Sequence, residues 1–263
     1  MDSISNMNSS SHLKSMLKAE KAVMGIWSII PSPSIIEIFG IGGLDFVILD
    51  MEHGIYDPEA LENCIRAAEG VGCAPLVRIP GIDASAAQWA LDLGAHGIVV
   101  PQVSDLPEVI QAVEITKYPP EGTRGYNPFT RAGRYSPLSK KHSNKLNNDF
   151  GISAVIIETE TSLLDLEKIC LIDMLDVIYI GAYDLSVCLG LGGDTLHPKI
   201  INIIEKSVDI IRKSGKSAGI MCRNKDEIKK ALALGYTFIV YGVDTLLVHN
   251  AVTGVVEDFK KSL

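Results

Sequence analysis

The chain has 263 residues, 47% of them hydrophobic and 21% charged. That is enough length and apolar content for one large folded domain, and too balanced a composition for a disordered or low-complexity chain. Lys and Arg number 24 against 32 Asp and Glu, a net charge of −8, the wrong sign for a protein whose main partner is nucleic acid, and no apolar run reaches the roughly 18 residues of a membrane span.

The N-terminal stretch MDSISNMNSSSHLK is rich in Ser and Asn and lacks a signal-peptide core. It is read as a loose tail over residues 1–12, followed by a single domain over 13–263 in a cytoplasmic protein. The five cysteines (Cys64, Cys73, Cys170, Cys188 and Cys222) are odd in number, scattered and without C-x-x-C spacing, which predicts reduced thiols rather than a disulfide framework or a zinc site.

Short apolar, β-branched runs then recur at regular intervals. Strands are expected at Ala22–Ile30, Asp45–Leu49, Pro75–Ile79, Gly97–Val100, Ala154–Ile157, Val177–Ile180, Ser217–Met221 and Thr237–Tyr241. Most are continuously apolar, the pattern of parallel strands covered by helices. Amphipathic stretches lie between them. Asp57-Pro58 supplies an N-cap and an N1 proline for a helix in which Leu61, Cys64, Ile65 and Ala68 share a face and Gly70 is the expected stop. A second helix is expected from Asp83 to Gly94, and Asn224-x-x-Glu227 resembles a capping box for one closed by Gly235. Eight such units in about 250 residues predict a (β/α)₈ TIM barrel. The irregular stretch from Tyr118 to Asp149 carries Arg124, Arg131, Arg134, Lys140 and Lys141, and a loop that long in a compact domain is commonly functional. Its charges read either as a solvated basic loop or as a site for an anionic substrate.

In this fold the active site lies where the strands end. Asp50, Glu52 and His53 follow the second strand, Arg78 ends the third, Gln102 follows the fourth, Glu158 the fifth, and Asp184 comes soon after the sixth. Glu158 and Asp184 belong to neighbouring strands, where two carboxylates would repel unless a hard divalent cation lay between them; separate helix caps or ion pairs are the other reading. His53 reads as a general base held by Asp50, with Asp92 as a further support, or as an ordinary structural histidine. Arg78 suits a bound carboxylate or developing oxyanion, or else a salt bridge with Glu52 or Asp50. No lysine ends an expected strand, which argues against a Schiff base, and no Walker loop or G-x-G-x-x-G fingerprint occurs.

The segments LDMEH (Leu49–His53), APLVRIP (Ala74–Pro80), YPPEGTRG (Tyr118–Gly125), IIET (Ile156–Thr159) and GAYDLS (Gly181–Ser186) together resemble the HpcH/HpaI family of metal-dependent, class II pyruvate aldolases. The resemblance runs from about Gly25 to the C-terminus. It implies a (β/α)₈ barrel that makes or breaks a C–C bond beside pyruvate, releasing or using an aldehyde, with a divalent cation (Mg²⁺, Mn²⁺ or Co²⁺) as cofactor. It also implies a homo-oligomer, trimer or hexamer. By motif, Glu158 and Asp184 are the metal ligands and His53 the base, with Asp50 and Asp92 supporting it. Arg78 meets the pyruvate oxygens and the backbone around Tyr183 and Asp184 the pyruvate carboxylate; outside these motifs, Gln102 at the end of the fourth strand is a further substrate-side candidate. Two positions depart from the common pattern: Ile156 stands where many members have Gln, and GAYD where GPxD is usual. Both touch the keto-acid side, so a citrate-synthase-like or Claisen-type enzyme using oxaloacetate or a thioester is the second expectation.

Overall fold

Eight parallel strands pair in sequence order and close on themselves in the computed structural model, which describes residues 8–135 and 148–263. They are β1 (Val23–Ser28), β2 (Phe46–Asp50), β3 (Ala74–Arg78), β4 (Gly97–Val103), β5 (Ile152–Ile157), β6 (Val177–Ile180), β7 (Ser217–Cys222) and β8 (Phe238–Val243). Around them run α1 (Asn8–Lys18), α2 (Pro33–Ile41), α3 (Pro58–Gly70), α4 (Ala84–Asp92), α5 (Leu106–Glu114), α6 (Glu160–Leu164), α7 (Leu166–Ile169), α8 (Ala182–Cys188), α9 (Pro198–Lys213), α10 (Lys225–Leu234) and α11 (Asp244–Lys261). The expected TIM barrel is the fold. Among the described residues no helix is long and apolar enough to cross a membrane, and all five cysteines are free thiols.

Strand residues of opposite parity feed two cores. Val47, Leu49, Val77, Ile98, Val155 and Ile178 meet the helices, whereas Phe46, Ile48, Leu76, Val99, Ala154 and Val177 fill the barrel. The Phe46 and Phe238 rings stack with centroids 4.2 Å apart. Below them α1 closes the barrel floor with Leu13 and Leu17, and buried Lys14 donates to the Gly151 carbonyl at 2.9 Å and to Asp176 at 3.0 Å. This helix begins within the stretch read as tail.

The cap residues behave as their chemistry dictates. Asp57 accepts the Ala60 N–H at 2.7 Å, Asp83 accepts the N–H groups of Ser85 and Ala86, and Asn224 accepts those of Asp226 and Glu227. Glu227 reaches one residue further back than a capping box requires, accepting the Arg223 N–H at 2.7 Å. Gly235 closes α10 with φ 100°, but Gly70 does not close α3. That helix runs through Gly70, and the chain turns at Gly72, whose φ is 76°.

Several strand ends shift by one to three residues from expectation, and two of them have an identifiable cause. β1 stops at Ser28 because the next inward-facing donors are taken by buried Asp244 at the β8 end, which accepts the Ser28 hydroxyl at 2.8 Å and the Ile30 N–H at 2.9 Å. β4 continues past Pro101 to Val103, with a register shift between Val100 and Val103 where Gln102 takes φ 58°. That bulge turns the Gln102 N–H out of the ladder and toward the barrel mouth.

Candidate active site

The site is assembled by register. Parallel pairing of β2 with β3 places Asp50 directly beside Arg78, and the guanidinium closes on the carboxylate with Nε to Oδ1 at 2.8 Å and Nη2 to Oδ2. Nη1 lies 3.0 Å from Glu52, and the planar group rests 4.3 Å from the centroid of Trp27. Burial opposes the guanidinium's charge, and Asp50 and Glu52 outweigh that opposition, so its pKa is raised. Arg78 thus makes the salt bridge and still lines the central cavity.

Asp50 is 1% exposed and holds more than Arg78. Its Oδ1 accepts the backbone N–H of Glu52 at 3.0 Å and of His53 at 3.2 Å, fixing the turn that follows β2. It therefore positions His53 through the backbone, not through the imidazole as the sequence suggested. The imidazole side chain is 68% exposed, with Nε2 3.8 Å from Glu52. Asp92 is not brought to His53 by any contact among the described residues. It ends α4, in the outer layer, where its carboxylate accepts from Arg124 at 2.7 Å.

Glu158 follows β5 and is 8% exposed. Burial, with Asp184 and Glu52 adding repulsion, pushes its carboxyl up to about 7 despite the Gln102 N–H donated to Oε1. The Gln102 side chain turns the other way and donates to Glu52 at 2.6 Å. Space at Glu158 depends on Gly181: a Cβ there would stand 3.2 Å from Oε2 and 3.0 Å from the Glu158 Cβ. Asp184 lies in the first turn of α8, on the same cavity. Among the described residues no group of three or more His, Cys, Asp or Glu stands at ligand spacing. The chain thus offers a pair of hard carboxylate ligands, the donor set with which Mg²⁺-type cations are held alongside water and substrate. The mutual repulsion on Glu158 is relieved by a cation, so these residues fit the expected ion.

Asp50, His53, Arg78, Glu158, Tyr183 and Asp184 all line one cavity of about 420 Å³. Tyr183 accepts from Arg223 at 2.8 Å, and Arg223 is held in turn by Glu227. Sequence reasoning passed over Trp27 and Tyr179, whose rings meet edge-to-face at 5.7 Å beneath Arg78, and placed no residue of β7 at the site. The aromatic at the end of β1 was a usable signal, since the residues ending strands line the mouth. Among the described residues, none of the basic loop lines the cavity. Arg124 goes to Asp92, and Arg131 to Glu69 and to the Leu93 carbonyl, so these charges pin the loop to the outer helices. Lys140 and Lys141 lie outside the described residues.

A parallel barrel with carboxylates, an arginine and a histidine gathered at its C-terminal mouth defines an enzyme of the TIM-barrel class. The family model for HpcH/HpaI aldolase/citrate lyase matches residues 23–251, and the chain belongs to this family of carbon–carbon lyases. It is 30% identical over 249 residues to the 5-keto-4-deoxy-D-glucarate aldolase of Enterobacter sp. (strain 638), covering 94% of this chain and 96% of that one. It is 32% identical over 239 residues to the 4-hydroxy-2-oxo-heptane-1,7-dioate aldolase of Escherichia coli, covering 90% of each. Among solved structures, the citrate synthase SbnG superposes with a TM-score of 0.86 at 29% identity, covering 95% of this chain and 98% of that one.

Proposed function

We propose that the chain is a divalent-metal-dependent class II aldolase that cleaves or forms 4-hydroxy-2-keto acids through a pyruvate enolate and an aldehyde. The observation that carries this reading is the single cavity in which a buried, charge-strained Glu158 and Asp184 face the Arg78–Asp50 pair and His53. Glu158 and Asp184 would hold Mg²⁺, Mn²⁺ or Co²⁺, which when bound supplies electrostatic stabilisation for negative charge developing on pyruvate. Arg78 adds a permanent positive charge to the same space, fixed in orientation by its two carboxylate partners. Backbone N–H groups around Tyr183 and Asp184 are assigned to the pyruvate carboxylate, with Gln102 at the edge of the substrate space. His53 takes the proton from the 4-hydroxyl, directly or through water, and its exposed ring can pass that proton to solvent. The C3–C4 bond then breaks, C4 leaves as the aldehyde, and C3 regains a proton as pyruvate forms.

The test is proton NMR of pyruvate in D₂O with each metal, followed by an aldehyde screen. Metal-dependent loss of the methyl signal is expected; no exchange with any of the three ions overturns the reading. The likeness to a citrate synthase and the apolar Ile156 lining the cavity favour a second reading, condensation of an oxaloacetate or thioester-derived carbanion. Citrate formed from oxaloacetate and an acetyl thioester, with water consumed and the thiol released, and without pyruvate exchange, would select it.

We further propose a homo-oligomer, trimer or hexamer. Val248, Val252, Val255, Val256 and Phe259 form one exposed apolar stripe on α11, a helix that meets its own barrel only near its start.

A further inference from the structure

The cavity does not end at the carboxylates. The same cavity is also lined by Ile201, Ile204, Ile220, Leu234 and Tyr236, an apolar bay. Ile220 packs with the helix-facing core, Ile201 and Ile204 come from α9, and Leu234 ends α10. The bay therefore lies behind the barrel wall, between two helices, yet opens to the reacting centre. The Tyr236 hydroxyl donates to the Ile204 carbonyl at 2.8 Å and so presents its ring rather than a free polar group. The Arg and Lys side chains lining the cavity are each matched: Arg78 by Asp50 and Glu52, Arg223 by Glu227 at 2.8 Å, and Lys230 by Glu205 at 3.4 Å. A second carboxylate on a ligand's far end would have to displace Glu227 or Glu205 from these pairs, whereas a hydrocarbon tail would leave water for an aliphatic wall.

We infer that this bay receives the tail of the acceptor, and that the acceptor is an aldehyde bearing an unbranched apolar chain. The inference rests on the aldolase reading and names its substrate class. In the synthetic direction the pyruvate methyl loses a proton, and its carbon bonds to the aldehyde carbon. The aldehyde oxygen takes a proton to become the 4-hydroxyl, and no other atom is gained or lost. Each methylene that enters the bay lowers the free energy of the bound transition state.

The experiment compares kcat/KM for acetaldehyde, butanal, hexanal, octanal, decanal and succinic semialdehyde with pyruvate and saturating Mg²⁺ or Mn²⁺. Efficiency should rise about two- to fourfold per methylene up to hexanal, with succinic semialdehyde well below butanal. Leu234→Phe, which fills the bay, should lower the hexanal-to-acetaldehyde ratio, and Ile204→Ala, which widens it, should move the optimum to a longer chain. Pyruvate proton exchange is measured on the same wild-type sample. Exchange with a flat or falling chain-length profile, a preference for succinic semialdehyde, or a profile that neither variant moves overturns the acceptor assignment and leaves the aldolase reading standing. Absence of exchange overturns both. Should Leu234→Phe fail to fold, the Ile204→Ala profile decides alone.

Discussion

Glu158 is a buried acid whose ionisation the fold resists. Below about pH 4.5 its carboxyl is neutral whether the chain is folded or unfolded; between there and about 7 it ionises only in the unfolded chain. The metal-free protein should therefore lose about 3 kcal/mol of stability across that window. Thermal melts of the EDTA-treated protein at pH 5 and pH 8 should show the loss, and Glu158→Gln should flatten it. Added Mg²⁺, Mn²⁺ or Co²⁺ should restore both activity and stability at pH 8, with no response in Glu158→Gln or Asp184→Asn. Full activity in excess EDTA would contradict the ligand assignment. Arg78 bears two loads. Arg78→Ala strands the buried Asp50 carboxylate, a loss of about 3–5 kcal/mol in denaturant melts, and in the proposed reaction also removes an oxyanion donor worth about 2.7–4 kcal/mol of barrier. Arg78→Lys keeps the charge but not the fork that spans Asp50 and Glu52, so it should recover part of each. A variant that loses stability but exchanges pyruvate protons at the wild-type rate would remove Arg78 from the chemistry. His53, by contrast, is mostly exposed, so His53→Ala should leave the melting temperature nearly unchanged while turnover falls about 10²- to 10⁴-fold and the acid limb of the pH profile disappears. Intact exchange in this variant would return the residue to a surface role.

At the scale of elements, the strands were legible because a strand buried on both faces is apolar throughout, and the helices because Asp57, Asp83 and Asn224 stand where an N-cap must. What escaped were the ends decided by partners distant in sequence. Asp244 stops β1 from the far end of the chain, and the Glu158 carboxylate draws the Gln102 N–H out of β4 beyond a proline. The same limit applies to the site. The types and strand ends of Asp50, His53, Arg78, Glu158 and Asp184 were readable, and a salt bridge from Arg78 to Asp50 or Glu52 was among the expectations; that Arg78 meets both is decided by the β2–β3 register, which no local pattern encodes. Asp92 is paired with Arg124, 32 residues further on, and that partner, which no local pattern encodes, holds its carboxylate away from His53 of the same chain. Two single changes separate a local contribution from a long-range one. Asn224→Ala removes a surface cap and should cost about 1 kcal/mol. Lys14→Met strips Asp176 of a buried partner under the barrel and should cost about 3 kcal/mol or more. Equal shifts in melting temperature would argue that α1 adds little to the barrel.

For the molecule as a whole, the stripe on α11 sets an expectation about assembly. Sedimentation at micromolar concentration should give three or six copies per particle, and the double substitution Val252→Asp with Phe259→Asp should shift the wild-type value toward the single chain. A wild-type monomer at that concentration would refute the proposed oligomer. Such residues are hard to place by periodicity alone, because a helix face that covers the barrel and one that covers a neighbouring copy follow the same spacing.

Trp27 gives this architecture an optical handle. The chain has two tryptophans: Trp89 is 56% exposed on α4, while Trp27 is 4% exposed at the end of β1 with the Arg78 guanidinium over its ring. A collisional quencher in solution therefore silences one indole and spares the other. The remaining emission comes from a ring in contact with the arginine assigned to pyruvate, so each arrival or departure at the barrel mouth is recorded in its colour and intensity without any added label.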